Sequence, residues 1–375
     1  MAGPPPLVLG IETSCDDTAC AVVDGAGGVR SSVVSSQLAA HRPYGGVVPE
    51  IASREHLANW LPVSAAALEQ AGVGLDGIDV VAATRGPGLV GSLLVGLSLG
   101  KAIAYALDRP FHAVHHLEGH LYSPFLGPPG EAAPAEPVPE RFTGLVVSGG
   151  HTNLFAVAGG AVETLAETRD DAMGESFDKV GKRLGLPYPQ GPKVDALAEH
   201  GVAERCPFAV PKVRAERRPD RVDDGRQSLD FSYSGLKSQT LLAIERLERS
   251  GVPTRPDPAA DAAGEPPFSQ GVLDLIAGFR EAAVGQLLDR LERLRREHRL
   301  ARGETLAVSG GAAANRLLRR RLTAWAAAHG IDLRLVPLAY SGDNAAMIAH
   351  AALLRERRGE RDDPLAAEAA SRIPI

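Results

Sequence analysis

Two copies of one strand-and-helix pattern run along this chain, and a duplication of that kind leaves few architectures open. The first copy begins with "LVLGIE" at 7–12, an apolar and β-prone run. "TACAVVD" follows a polar loop, "GAGG" turns the chain, and "VRSSVVSSQ" alternates as a third strand. Residues 48–72 place apolar side chains at helical spacing. "IDVVAATRG" then reads as a strand, "GLVGSLLVGLSLGKAIAYAL" as a helix and "FHAVHH" as another strand. The second copy runs through "FTGLVVSGG", "TNLFAVAGG" and "AVETLAETRD" as a meander, with "ESFDKVGKRLG" opening a helix. It resumes with strand "ETLAVSGG", a helix over 313–330, strand "LRLVPL" and a last helix from "DNAAMIAHAALLRER". Two similar α/β lobes are expected, with a ligand site in the cleft between them.

The boundaries follow from composition. Residues 6–126 form the expected first lobe, and "GPPGEAAPAEPVPE" at 127–140 is a Pro/Ala/Glu-rich linker. Residues 141–342 form the second lobe, with mobile surface insertions near 215–228 and 252–268. The final helix, 343–358, is expected to pack back on the first lobe. At 375 residues the chain exceeds one ordinary core, and 44% apolar with 23% charged residues is a globular composition.

A net charge of −6 excludes a basic nucleic-acid coat, so RNA contact would need a local basic face. "KVRAERRPDR", "RLERLRREHRLAR" and "RLLRRRL" interleave cations with Glu or Leu; a solvated helix face is their default reading and an RNA patch the sharper one. Cys15, Cys20 and Cys206 lack CxxC spacing, which fits a reducing cytoplasm without a disulfide framework. The opening "MAGPPPLVLGIE" has no basic n-region and too short an apolar run for a signal peptide. The apolar stretch at 88–107, interrupted by Lys101 and rich in Gly, is expected as a buried helix and not a membrane span.

Several motifs carry chemistry. In "AVHHLEGHLYSPFL", His116 and His120 share one face if "HLEGH" begins a helix, and two neutral imidazoles there can bind a divalent metal. They can equally be two satisfied helix histidines. A metallopeptidase would need its glutamate directly after the first histidine; here Leu117 follows, and Glu118 points off the metal face. Asp343, at a strand-to-helix junction, can complete a His2Asp site or simply cap the last helix. His115 would face elsewhere, and His350 would pack. "GIETSCDDTACAVVD" crowds Glu12, Thr13, Ser14, Asp16, Asp17 and Thr18 into one hairpin that can cup a phosphate or be an ordinary polar turn. "VVSGGHTNL" repeats that position with Gly149 and Gly150, and "AVSGGAAANR" adds a third strand–glycine junction ahead of a helix N-terminus. Three such junctions, each at a strand end, point to a nucleotide cleft. Asp178 and Asp195, in the segment that also supplies Lys179 and Gly191, can accept ribose hydroxyls or merely solvate a helix.

"GIETSCDDTA", "YGGVVPEIASREH", "TRGPGLVGSLLVG", "HHLEGH", "VSGGHT", "GESFDKVGK", "FSYSGLK", "SGGAAANRLLR" and "DNAAMIA" stand in one order over nearly the whole chain. Together they resemble the TsaD-type tRNA N6-adenosine threonylcarbamoyltransferases, a universal family formerly called O-sialoglycoprotein endopeptidase. The resemblance implies the actin/Hsp70/sugar-kinase (ASKHA) fold, two RNase H-like lobes around a nucleotide cleft. It implies transfer of threonylcarbamoyl from threonylcarbamoyl-AMP to the adenosine beside the anticodon in tRNAs reading codons that begin with A. It places a metal, iron(II) or else zinc(II), on His116, His120 and Asp343. Donor contacts fall on Val147, Ser148, Gly149, Gly150, His151, Asp178, Gly191, Asp195 and Asn315. It implies two partners, a degenerate paralogue of the TsaB type and a small P-loop ATPase of the TsaE type. His115 replaces a frequent Asn, Gln190 a frequent Gly, and "YSGDN" a usual Cys-Thr pair. Asp16, in the first hairpin, is the candidate group for assisting loss of the amine proton. An actin-like ATPase or small-molecule kinase is the alternative, disfavoured because such enzymes hold Mg2+ through carboxylates and water. A nucleotide-gated scaffold without chemistry would have no need of the histidine pair.

Overall fold

A computed structural model describes residues 6–128, 137–213, 228–262 and 264–375. The first copy of the repeat forms β1 (Leu7–Glu12), β2 (Asp17–Asp24) and β3 (Val29–Ser36), then a one-turn helix α1 (Leu38–His41) and the long α2 (Pro49–Ala71). β4 (Val80–Gly86), α3 (Val90–Leu107), β5 (Phe111–His115) and α4 (His116–Tyr122) follow. The second copy forms β6 (Arg141–Val147), β7 (Thr152–Ala158) and β8 (Ala161–Ala166), then α5 (Met173–Arg183) and α6 (Gly191–Leu197). Here the repeat is interrupted by α7 (Ser234–Arg249), the short α8 (Pro258–Ala262) and the long α9 (Gln270–Arg296). β9 (Thr305–Ser309), α10 (Arg316–His329), β10 (Asp332–Leu335) and α11 (Ala345–Arg357) complete it.

Both sheets have the same topology. The first runs β3-β2-β1-β4-β5 and the second β10-β9-β6-β7-β8, each an antiparallel meander extended by two parallel strands. Parallel pairing requires crossovers: α3 joins β4 to β5 and α10 joins β9 to β10, while the connections from β1 to β4 and from β6 to β9 carry α2 and α5–α9. The strands beside the crossovers are buried on both faces, which is why "LVLGIE" and "TLAVS" read as continuous apolar runs.

α11 is buried nearly all round from Ala345 to Leu353 and packs on β1, β2, β4 and α4. Gly10 permits this approach: a Cβ there would strike Ala345 O and lie 2.9 Å from Ala349 N. α4 lies between α11 and the second sheet, touching β6 and β9.

Two expectations need correction. α3 is not a buried helix: one face packs on β4 and α2, while Val90, Leu94 and Tyr105 are exposed. By length and composition alone it would suffice to cross a membrane, as the only such helix among the described residues. The stretch at 252–268, in its described residues, is no loose insertion, because hydrogen bonds within it and to α5 and α7 pin it. Thr254 Oγ1 donates to Glu248 Oε1 (2.5 Å), Arg255 Nη1 to Arg183 O (2.7 Å) and Asp257 N to Pro267 O (2.8 Å). The other expected insertion, near 215–228, lies outside the described residues up to 227, as do residues 129–136 of the expected linker.

Candidate functional site

The strand-to-helix junction at 115–116 sets the first half of the site. β5 ends at His115 and α4 starts at His116, so His116 and His120 stand one turn apart on one face. Their rings are 4.7 Å apart and nearly perpendicular. The second half comes from the turn ahead of α11. Asn344 is the cap there, its Oδ1 accepting from Met347 N at 3.0 Å, so Asp343 is not spent on capping. Asp343 Oδ1 lies 3.2 Å from His120 Nε2 and 3.5 Å from His116 Nε2. One ligand atom from each of the three lies within 4.8 Å of the others.

Glu12, at the end of β1, supports this cluster from beneath. It is fully buried; its Oε2 faces His116 Nδ1 at 3.0 Å and accepts from Thr84 Oγ1 at 2.7 Å, and its Oε1 accepts from Ser14 N. A carboxylate on the far nitrogen of a histidine is the usual second partner of a metal-bound imidazole. Sequence reading placed Glu12 only in a polar hairpin; its contact with a residue 104 positions away left no local signal.

The electrostatics agree. Burial works against charge on His116, but Asp343 and Glu12 outweigh it and raise that imidazole to about 9. Burial holds His120 down, opposed by Asp343. Burial alone would raise the Asp343 carboxyl, yet His116 and His120 hold it well below the usual range. A negative field that binds a proton on His116 also favours a divalent cation. Two imidazoles and one carboxylate suit iron(II) or zinc(II), with positions left over for substrate. Glu118 points instead to Arg358, 3.7 Å away. His115 turns from the cluster: its Nδ1 accepts from Leu117 N and its Nε2 donates to Ile373 O. His350 is buried in α11 and pushed down to about 4 by burial.

Beside the cluster lies a pocket of about 360 Å³. Gly149, Asp178, Gly191, Asp195 and Asn315 line it, together with Phe177 and Gly311. Val147, Ser148, Gly150 and His151 are not in its wall: Val147 ends β6, and the other three belong to the β6–β7 turn between pocket and histidines. Ser148 Oγ accepts from His151 N at 3.1 Å, and the His151 ring lies 6.4 Å from that of His116. Burial, with His116 and His120 nearby, lowers His151 to about 3, so it is neutral. A Cβ on Gly149 or Gly150 would meet only open space, so the turn leaves room for a ligand. Gly310 is required for another reason: its φ is +93° and a Cβ would strike Val147 O.

The pocket carboxylates are partly occupied. Asp178 Oδ1 accepts from Gln190 N (3.0 Å) and Gly191 N (2.7 Å), so Gln190 does not disturb the turn. Asp195 accepts from Arg280 Nη1 (3.1 Å) and Arg316 N (3.0 Å), and Asn315 caps α10 by accepting from Leu318 N. Among the described residues, the amide N–H groups of Asn315 and the second oxygen of Asp178 have no hydrogen-bond partner and are open to a ligand, whereas Asp195 must share. Lys179 pairs with Asp171 (2.6 Å) and Glu175 (2.8 Å) outside the pocket wall. Asp16 in the first hairpin accepts from Tyr188 OH of the second copy at 3.1 Å, a contact that spans the cleft and that the sequence did not announce.

A family model described as "TsaD: tRNA N6-adenosine threonylcarbamoyltransferase" matches residues 28–350. A protein of that name from Anaeromyxobacter dehalogenans is 45% identical over 361 residues, covering 95% of this chain and 96% of its own. Another from Pelobacter propionicus is 47% identical over 346 residues, covering 92% and 90%. Among solved structures, HypF of T. kodakarensis aligns over 95% of this chain and 48% of its own, with 16% identity and a TM-score of 0.56. Component A of (R)-2-hydroxyglutaryl-CoA dehydratase from Acidaminococcus fermentans aligns over 95% and 100%, with 13% identity and a TM-score of 0.50. These two likenesses speak to the fold alone, the two-lobed actin-like architecture.

Proposed function

The chain belongs to the TsaD family of tRNA N6-adenosine threonylcarbamoyltransferases, and from that premise we propose how its cleft works. It transfers threonylcarbamoyl to the N6 amine of an adenosine in tRNA. In our reading the donor is threonylcarbamoyl-AMP and the acceptor the adenosine beside the anticodon in tRNAs reading codons that begin with A. The amine nitrogen bonds to the carbamoyl carbon, the carbon–oxygen bond to AMP breaks with its electron pair on the phosphate, and one amine proton leaves.

His116, His120 and Asp343 would hold the metal, iron(II) or zinc(II), with Glu12 fixing the His116 ring. When bound, the ion supplies Lewis acidity toward a phosphate or carbamoyl oxygen of the donor. The backbone at Gly149–Gly150 and Gly310–Gly311 aims donors at the charge that grows on departing AMP. Asn315 and Asp178 orient the nucleotide, and neutral His151 stands between pocket and metal ligands. An aromatic amine is weakly nucleophilic, so holding it against the carbamoyl carbon is the main task of the cleft. Asp16 is our candidate to take the proton. The substrate places the activity in the cytoplasm, with the paralogue and the P-loop ATPase as partners.

The convergence of His116, His120 and Asp343 beside a nucleotide-sized pocket carries this reading; a kinase has no use for it. Purified chain, partner subunits, threonylcarbamoyl-AMP and unmodified tRNA should yield the modified nucleoside by mass spectrometry. His116→Ala should lose both bound metal and product while keeping its circular dichroism spectrum. Full activity in a metal-free His116→Ala protein would refute the metal assignment.

A further inference from the structure

One family motif, "YGGVVPE" at 44–50, takes no part in the metal cluster or the pocket wall. It forms a turn at the cleft mouth. Arg42 to Tyr44 make one 3-10 turn that ends on Gly45 in the left-handed region, φ +66°. The turn leaves Tyr44 60% exposed, although a tyrosine normally buries its ring. The second copy faces it with cations. Lys182 Nζ, at the end of α5, donates to Gly45 O at 3.3 Å across the cleft. Lys193, in α6, donates to Pro187 O at 3.0 Å, and its ammonium is held down by burial and by nearby Arg42, with Asp261 opposing. Among the described residues none of Arg42, Lys182 or Lys193 has a carboxylate within salt-bridge distance, whereas Arg183 and Lys179 on the same α5 are paired.

The group adjoins the reactive centre. Pro189, Gly191 and Pro192, next to Lys193 in the chain, line the pocket. Tyr188 bonds to Asp16, two residues from Ser14, whose Oγ is 3.3 Å from His116 Nδ1. An exposed aromatic ring flanked by unpaired cations suits single-stranded RNA: bases stack on the ring and phosphates settle on the cations. In a chain of net charge −6 this is the local basic face that RNA binding demands. We propose that Arg42, Tyr44, Lys182 and Lys193 form the rim that grips the anticodon loop, Tyr44 stacking on an unpaired base while the three cations neutralise its backbone. This rests on the proposed function, since it takes tRNA as the substrate.

The test measures affinity of the full chain with its partner subunits for an unmodified tRNA transcript across a salt series. Arg42→Glu combined with Lys193→Glu should raise the tRNA Kd at least about tenfold. It should also flatten the slope of log K against log salt by about 1.4, two single-strand phosphate contacts. Tyr44→Ala should raise Kd on the order of tenfold without changing that slope, and Tyr44→Phe should restore affinity. Affinity for AMP, read by calorimetry, should stay at the wild-type value in all three. Unchanged tRNA Kd and slope in the double variant, with wild type still modifying tRNA, overturn the rim and leave the proposed reaction standing. A wild-type protein that makes no modified nucleoside overturns the reaction instead. Variants that keep tRNA affinity but lose a partner subunit would make the patch a protein interface and also sink the inference.

Discussion

Glu12 illustrates how a single buried carboxylate governs a site it does not line. It holds His116 Nδ1 at 3.0 Å and is itself held by Thr84 and Ser14, so the ring it orients has little freedom. Glu12→Gln keeps the size and removes the charge. It should lower metal affinity roughly 10–100-fold in a chelator competition, with little change in melting temperature. A Glu12→Gln protein that binds metal like wild type would remove Glu12 from the site. Asp17 makes the opposite case. Burial raises its carboxyl to about 7, with Asp16, Asp343 and Glu12 adding to the effect and a Ser36 hydrogen bond opposing it. The folded state therefore holds a proton that an unfolded aspartate releases near pH 4. Stability contributed by this group is present below about pH 4 and is lost as pH rises through about 7. Asp17→Asn should melt with wild type at pH 4 and a few degrees above it at pH 8, about 1 kcal/mol after allowance for partial exposure. Equal melting temperatures at pH 8, on chelator-treated protein, would count against the shift.

At the scale of elements, two short turns aim the ligands. Asn344 caps α11 and so leaves the Asp343 carboxylate to the histidines. Asn344→Ala should cost about 1 kcal/mol of stability. It should also weaken metal binding, because the turn that aims Asp343 loses its anchor; Asn344→Ser, which can still cap, should recover most of both. The two effects are separable by comparing melting curves with metal titrations. This is also where reading the sequence stopped short. Strand and helix periods made the duplicated topology legible, since each element carries its own hydrophobic pattern, and the spacing of four exposed the histidine pair. Which of two adjacent residues, Asp343 or Asn344, would cap α11 depends on a side-chain direction that no periodicity encodes. The exposed face of α3 was missed for a similar reason: Val90 and Leu94 are as apolar as Leu93 and Leu97, and only the position of the sheet tells them apart. The pinned stretch at 252–268 and the support from Glu12 both rest on contacts between residues distant in sequence or chemically ordinary.

Across the whole molecule, the two copies share a floor and part at the mouth. One continuous apolar core joins Val8 and Ala19 of the first sheet to Leu145 and Phe155 of the second, with α11 residues such as Met347 and Ile348 inside it. α4 rests on that floor between α11 and strands β6 and β9, so His116 and His120 are carried by its best-packed part. At the mouth, the described contacts across the cleft include Tyr188 OH to Asp16 and Lys182 to Gly45 O, polar bonds between partly exposed groups. Each is worth only about 1 kcal/mol. The lobes should therefore open at the mouth far more readily than they separate at the floor, and donor binding should feel the opening while the metal ligands do not. Tyr188→Phe isolates this. It removes one hydroxyl and leaves the ring, so AMP affinity should fall about fivefold, as loss of about 1 kcal/mol requires. Backbone amides of the hairpin at 13–18 should exchange faster with deuterium, while metal stoichiometry and affinity remain those of wild type. If Tyr188→Phe loses metal along with AMP, the floor and mouth are not independent, and the histidine helix would have to be set by lobe closure and not by the core beneath it.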